Sequence, residues 1–308
     1  VVNARNYAAA PVFTPLPFGL LATFADELRS DVDGHWQNGI TYEPLCGVSS
    51  TTYEKCFSVT GAGFALAPTP PPKVATASLS TRGATPFTVF TEVDCSANGF
   101  WDRAETLVGA GLNRTEQLQV ERAFWTGVAG GRSVVWPHLA ANAIVLDETN
   151  ITIQTAATTV SGGAAVTYDV VEGIGRLEAE IGACYDGVPT LHVPLVLLEA
   201  FAANMMLIRD GNRYRTPAGS IVVFGAGYPG TAPDGSAPPV GTTWVYATGA
   251  MVIYRGNLRV IPRDQSIDRA ENTVKAIAER TYVIGWDCCH FGARISTGGV
   301  VSGAAGAP

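Results

Sequence analysis

The chain has 308 residues, of which 47% are apolar and only 15% charged, and its formal net charge is −7. An average soluble chain carries about 25% charged residues, so a monomer of this composition would expose large apolar patches that contact between copies would cover. Three lysines and scattered arginines rule out the basic clusters that grip phosphates regardless of sequence, and no apolar run reaches the ~18 residues needed to span a bilayer.

Residues 1–39 read as an extended arm, because Pro11, Pro15 and Pro17 disfavour helix. A short helical piece is expected over 20–29. The start shows neither the basic nor the apolar region of a signal peptide, and the first residue is Val1, not Met. Residues 40–98 are rich in Thr, Ser, Gly and Pro, with strand-like pieces at 75–80 and 87–93 and a stiff, polyproline-like run at 68–72. So long a weakly apolar stretch suits a two-stranded excursion better than a compact domain. Residues 99–127 turn helical. Gly109 and Gly111 predict a break, and Asn113 with Glu116 has capping-box spacing. Val120, Ala123, Phe124 and Gly127 then share one helical face.

After a Thr- and Ala-rich segment over 143–168, Val170, Ile174, Leu177, Ile181 and Cys184 recur at helical spacing, and Asp186-Gly187 stops the helix. This pattern makes Cys184 a small buried hydrophobe. A second helix is predicted with Pro194 in its first turn, with Leu195, Leu198, Phe201, Met205 and Ile208 on one face, ending at Asp210-Gly211. Strands follow at 221–224, 243–247, 250–254 and 258–261, with turns at Thr248-Gly249 and Gly256-Asn257. Residues 272–279 leave helix and strand open, since Val274, Ala276 and Ala278 alternate while propensity favours helix. Strands at 282–286 and 291–295 precede a Gly/Ala-rich tail from 298.

The segment Gly225-Ala-Gly227-Tyr-Pro-Gly230 matches the dinucleotide fingerprint and follows a strand. Pro233, Pro238 and Pro239 prevent the helix whose N-terminus would receive a pyrophosphate. A flexible surface loop is the better reading, and no cofactor is expected. His35, His138, His192 and His290 have no metal-ligand spacing. No Cys-x-x-Cys occurs among Cys46, Cys56, Cys95, Cys184, Cys288 and Cys289. Cys46 and Cys56 could close a loop, although a reduced pair suits a cytoplasmic setting. The carboxylate pairs Asp26/Glu27, Asp31/Asp33 and Asp147/Glu148 sit at turn-like positions that favour solvation or capping. Trp125, Trp136, Trp244 and Trp286 have apolar neighbours, so packing is their default role. Arg209, Arg213, Arg215, Arg255, Arg259, Arg263, Arg269 and Arg280 lie near several acids. They suit either salt bridges between copies, which set register, or a solvated mixed-charge surface. No catalytic constellation is visible, and the chain does not read as an enzyme.

From 172 to 295 the order is amphipathic helix, Pro-Thr-Leu-His-Val-Pro, second helix, Arg-Asp-Gly and Gly-Ser-Ile-Val-Val-Phe. Val-Tyr-Ala-Thr-Gly-Ala, an Arg-Gly hairpin and Asp-Arg-Ala-Glu-Asn follow, leading into Ala-Glu-Arg-Thr-Tyr-Val. This order resembles the major capsid protein of tailed bacteriophages, in the Hong Kong phage fold that encapsulins share. The resemblance implies an α+β phage major capsid fold. Its parts would be an N-arm (1–39), an extended β-hairpin E-loop (40–98) and a peripheral domain with a long spine helix (99–168). An axial domain (169–262) would come next, then returning peripheral strands and the C-terminal tail (263–308).

The resemblance also implies a function. Copies would assemble into pentamers and hexamers of an icosahedral head enclosing double-stranded DNA without sequence-specific binding. Scaffold, portal and decoration proteins would be further partners, with no membrane involved. The location would be the virion, after assembly in the host bacterial cytoplasm. An encapsulin-like compartment or another virion structural protein is the alternative. The family's prohead cleavage would account for a start at Val1. Some members crosslink a loop Lys to an Asn beside a buried acid. Lys55 or Lys73 with Asn272 and Glu279 is the one candidate set in this chain, although loop lysines are ordinarily solvated.

Overall fold

The structure is a computed structural model. It describes residues 13–14, 16–30, 34–43, 57–60, 63–66, 82–96, 104–140, 158–159, 166–261, 267–268 and 273–298. Helix α1 (Leu20–Thr23) and two 3-10 turns, Ala25–Glu27 and His35–Asn38, precede β1 (Ile40–Tyr42). Next come the hairpin of β2 (Phe57–Thr60) and β3 (Gly63–Leu66), then β4 (Arg82–Ala84), β5 (Pro86–Ser96) and helix α2 (Ala104–Thr126). The short strands β6 (Val128–Ala129), β7 (Arg132–Ser133) and β8 (Thr158–Thr159) lead to α3 (Val170–Tyr185), β9 (Thr190–Pro194) and α4 (Leu198–Ala203). The remainder is β: β10 (Ile208–Asp210), β11 (Arg213–Arg215), β12 (Ile221–Gly225), β13 (Thr242–Thr248), β14 (Met251–Arg255), β15 (Arg259–Ile261), β16 (Ile267–Asp268), β17 (Thr273–Trp286) and β18 (His290–Ser296).

One half of the molecule is organised by β17. Strand β5 runs antiparallel along one edge of it, from Thr273↔Ser96 to Val283↔Pro86. Strands β14, β15 and β16 occupy the other edge in succession. The choice left open over 272–279 falls to strand from Thr273 onward, because paired neighbours and a packed face outweigh the helix propensity of alanine. Val274, Ala276, Ala278, Arg280 and Tyr282 alternate inward, and α2 lies across this sheet. The helix runs unbroken through Gly109 and Gly111. A Cβ at Gly111 would lie 3.2 Å from Thr91 Cγ2, so glycine there serves close approach of helix to sheet and not the predicted break. Asn113 and Glu116 sit mid-helix, so they form no capping box.

The other half is a seven-stranded sheet in the order β10-β11-β12-β9-β13-β18-β8. Strand β12 is parallel to β9, and β13 is antiparallel to β9 and β18. Helix α3 buries Val170, Ile174, Leu177 and Ile181 on it, which is the predicted stripe. Asp169 caps the helix by accepting the Glu172 N–H at 2.8 Å, the side-chain acceptor that an orphan N-terminal donor requires. Cys184 departs from expectation: it is exposed and disulfide-bonded to Cys289. The second helix is shorter than predicted. Pro194 ends β9, a 3-10 turn spans Leu195–Leu197, and α4 ends at Ala203. Met205 is 86% exposed, and Ile208 joins the β10–β11 hairpin opposite Arg215. Gly211, at φ 60°, makes that hairpin's turn, and the resulting ladder competes with any helical extension.

The chain crosses between the two sheets at β13–β14 and again at β17–β18. Here the structure departs from the division expected at residue 262. Strands β14 and β15 belong to the sheet of β17, and β18 returns to the sheet of α3. The two crossings touch: the Asp287 N–H donates to the Ala250 carbonyl at 2.8 Å. Part of the expected arm is also fastened to its own subunit. Leu20, Leu21 and Phe24 are buried in the core around α2, with Leu112, Phe124 and Trp286. Arg29 bridges to β14, donating its N–H to Ile253 O and accepting that of Arg255.

Candidate functional site

The dinucleotide-like loop does not behave as a cofactor site. Beyond Gly225 no helix opens before β13. The Gly227 N–H donates to Glu121 Oε2 of α2 at 2.9 Å, and a Cβ at Gly227 would collide with the Leu118 carbonyl. Glycine is therefore needed for the loop to rest on the helix, and its close approach is to protein, not to a pyrophosphate. Gly227 and Tyr228 are buried, which corrects the expectation of a surface loop for this part.

Glu121 is the hub of that contact. Its side chain is fully buried; Oε1 accepts the Leu20 N–H at 2.9 Å while Oε2 holds Gly227. One carboxylate thus ties the arm, the long helix and the β12–β13 loop together. Burial pushes its pKa up to about 7, against the backbone N–H groups of Gly227, Leu20 and Ala226, which favour the charged form. Gln117, one turn earlier, accepts the Ala22 N–H at 3.2 Å and donates to Leu16 O at 3.3 Å.

A second carboxylate, Glu116, holds the sheet. Its Oε1 accepts Arg255 Nη2 at 2.5 Å, and its Oε2 accepts Arg280 Nη1 and the Tyr282 hydroxyl, the latter at 2.7 Å. Burial raises the Tyr282 phenol above its ordinary range. Neither carboxylate stands out as a hub in the sequence, where Glu116 reads only as half of a capping box. The available signal was four-residue spacing: Leu112, Glu116 and Val120 share the buried stripe of α2. The arginine group divides accordingly. Arg213 pairs with Glu27, Arg215 with Asp210, Arg259 with Glu279, and Arg255 and Arg280 with Glu116. These bridges lie within the chain. Arg263 and Arg269 lie outside the described residues.

The histidines are structural. His192 is fully buried, with Nε2 3.0 Å from Thr248 Oγ1 and Nδ1 3.2 Å from the Tyr228 hydroxyl. Burial lowers its pKa to about 3 and that of His290 well below the ordinary imidazole range. Among the described residues no group of His, Cys, Asp and Glu could hold a metal ion. No helix among them is long and apolar enough to cross a membrane.

Chemistry gives way to surface. Phe90, Leu107, Leu118 and Val128 are exposed on and around α2 and β5. A groove of about 140 Å³ lies there, lined by Phe87, Phe90, Ala123 and Val128 among others. In the other half Val188, Val196, Met205 and Ile208 are exposed. Of the expected crosslink set, Lys55, Lys73 and Asn272 lie outside the described residues. Glu279 is half-buried on β17, opposite Phe90 and 3.4 Å from Arg259.

No family model and no curated protein matches the sequence. Solved structures do match the fold. The capsid of an empty GTA particle aligns over 96% of this chain and 95% of its own, with a TM-score of 0.53 at 12% identity. The capsid of a native GTA particle aligns over the same shares, with a TM-score of 0.50 at 10% identity. A chain of Mycobacterium phage Bobi aligns over 95% of both chains, with a TM-score of 0.48 at 15% identity. On the two GTA matches, the mixed helix-and-sheet architecture is a capsid fold. The sequence-level resemblance to the major capsid proteins of tailed bacteriophages is met by the three-dimensional structure.

Proposed function

We propose that this chain is the major capsid protein of a tailed phage or phage-like particle, and that its copies form the pentamers and hexamers of an icosahedral shell around double-stranded DNA. The observation that carries this reading is the match over 96% of the chain to a capsid subunit at a TM-score of 0.53. The surface supports it. A subunit with two well-packed cores still exposes Phe90, Leu107, Val196 and Met205. Burying such area is worth about 25 cal/mol per Å², which contact between copies recovers.

In this reading 1–39 is the N-arm and 40–98 the E-loop; the arm is anchored in its own subunit through Leu20, Leu21 and Phe24, and the rest of the arm and the loop reach neighbouring copies. The sheet of β17 with β5, β14, β15, β16 and helix α2 supplies the peripheral domain, and the sheet of β9–β13 and β18 with helix α3 the axial one. An acidic chain with three lysines encloses DNA without gripping it. Scaffold, portal and decoration proteins would meet the same shell, which would assemble in the bacterial cytoplasm and end in the virion. The role is structural, and no reaction is assigned. Cohesion is non-covalent: Glu279, the acid of the Lys55 or Lys73 and Asn272 set, is engaged by Arg259. Denatured shells should therefore give only the monomer mass, and a ladder of multiples would restore the crosslink. Light scattering of the purified chain over rising concentration tests the whole reading. Particles in the megadalton range are expected, and a monomer at every concentration contradicts it. Nuclease-protected DNA inside the particles separates a head from an encapsulin-like compartment.

A further inference from the structure

Beside the Gly256-Asn257 turn lies a cavity of about 310 Å³, lined by Arg29, Ser30, Arg255, Asn257 and Arg280 with apolar neighbours. Three arginines therefore line one small volume. Glu116 balances two of them from below, and both of its oxygens are already committed to Arg255, Arg280 and Tyr282. Glu27, on the preceding turn, is held by Arg213. Arg29 makes no ion pair among the described residues. Its guanidinium lies 5.9 Å from the centre of the Tyr254 ring. The side-chain Nε–H groups of Arg255 and Arg280 are buried without an acceptor. The cavity is also preformed, since the Arg29 backbone is hydrogen-bonded to Ile253 and Arg255 in both directions.

We propose that this cavity receives a carboxylate side chain from a second copy of the chain. The inference rests on the shell reading, which supplies the second copy. Among the described residues three arginines line the cavity against one fully occupied carboxylate, which leaves it positive. Guanidinium forks bind carboxylates through paired, charge-assisted hydrogen bonds, more strongly where the surroundings are partly dry. Size selects a single side chain, because about 310 Å³ cannot admit a nucleic-acid duplex. Charge supplies the donor, because each copy carries 27 acidic against 20 basic residues. Glu92 and Asp94 stand exposed on β5, so a neighbouring copy offers carboxylates on an extended edge.

Phenylglyoxal, which modifies accessible guanidiniums, tests this when Arg29 is followed by peptide mass spectrometry in dissociated subunits and in assembled shells. Modification of Arg29 in subunits, reduced about tenfold in shells, is the expected result. The Arg29→Ala chain should nearly keep the thermal midpoint of its subunit, since among the described residues Arg29 has no acid to lose and only the Tyr254 ring contact goes. It should need about tenfold more protein to assemble, the loss of one charge-assisted contact per subunit. Particles whose Arg29 is modified as fast as in free subunits overturn the carboxylate site and leave the shell reading intact. So does protection of Arg29 by millimolar inorganic phosphate in free subunits with none on assembly, which would reassign the cavity to a small anion. A chain that forms no particles overturns both.

Discussion

Arg280 and Glu116 meet where β17 crosses α2, the guanidinium Nη1 against the carboxylate Oε2, with both side chains more than nine-tenths buried. The two residues stand 164 positions apart, so the pair closes the long sheet onto the long helix. Breaking a buried pair from one side leaves an uncompensated charge, at about 3–5 kcal/mol. Glu116→Ala should therefore lower the urea midpoint of the subunit sharply, with Arg280 stranded. Replacing both partners by apolar residues, as in Glu116→Leu with Arg280→Met, should recover only part of that loss, because Arg255 and the Tyr282 hydroxyl still lose their acceptor. A Glu116→Ala chain as stable as the parent would falsify the role given to this pair.

Glu121 ties stability to pH in a direction opposite to that of most carboxylates. Its pKa rises from 4.5 to about 7 through burial, so the folded chain holds the proton more tightly than the unfolded one. Its contribution favours folding most below pH 4.5, declines as pH climbs through 7, and is flat above. The span is about 3 kcal/mol. Denaturation of a Glu121→Gln chain at several pH values should show this component gone. At pH 8 the variant should be less stable by about 1–3 kcal/mol, because its amide nitrogen faces a backbone N–H donor. An unchanged pH profile would sink the assignment.

His192 and His290 act in the other direction. Burial depresses both pKa values, so the unfolded chain takes up protons that the folded one refuses. Their contribution is intact above the unfolded value of about 6.5 and is lost as pH falls towards the folded values. Each histidine gives a slope of at most ~1.4 kcal/mol per pH unit. Two histidines outweigh one Glu121, and net destabilisation by acid is expected below pH 6.5. His192→Asn should remove one histidine's share of the slope. Equal slopes in parent and variant would contradict the buried neutral imidazole.

The Cys184–Cys289 disulfide spans 105 positions and joins the C-terminal end of α3 to the β17–β18 crossing. A closed loop of that length is worth about 4–5 kcal/mol in the chain-entropy account. Reductant, or Cys184→Ser, should lower the unfolding midpoint by a corresponding amount. A non-reducing peptide map should recover the linked peptides. Finding both thiols free in mature particles would contradict the bond.

Local pattern carried much of the architecture. The stripe Val170, Ile174, Leu177 and Ile181 was legible because one helix face buries on one sheet. The β12–β14 strands were legible because apolar runs sat between glycine turns. Where a local rule was read alone it misled. Gly109 and Gly111 looked like breakers, yet glycine at 111 admits Thr91. Alanine propensity held open a helix that the alternation of Val274, Ala276 and Ala278 spoke against, and β5 and β15 as strand edges settled it. Cys184 continued the helical stripe and so looked buried, while its partner lies 105 positions away. Glu116 and Glu121 were invisible as hubs for the same reason. Their partners Leu20, Gly227 and Arg280 are 101 to 164 positions distant, and nothing in a helical window points to them.

Electron microscopy of the purified, concentrated chain tests the shell directly. Closed icosahedral particles whose subunit density accommodates this fold, with α2 and β17 stacked and arms crossing to neighbouring copies, are the predicted result. A homogeneous population of isolated single subunits under every assembly condition would contradict it.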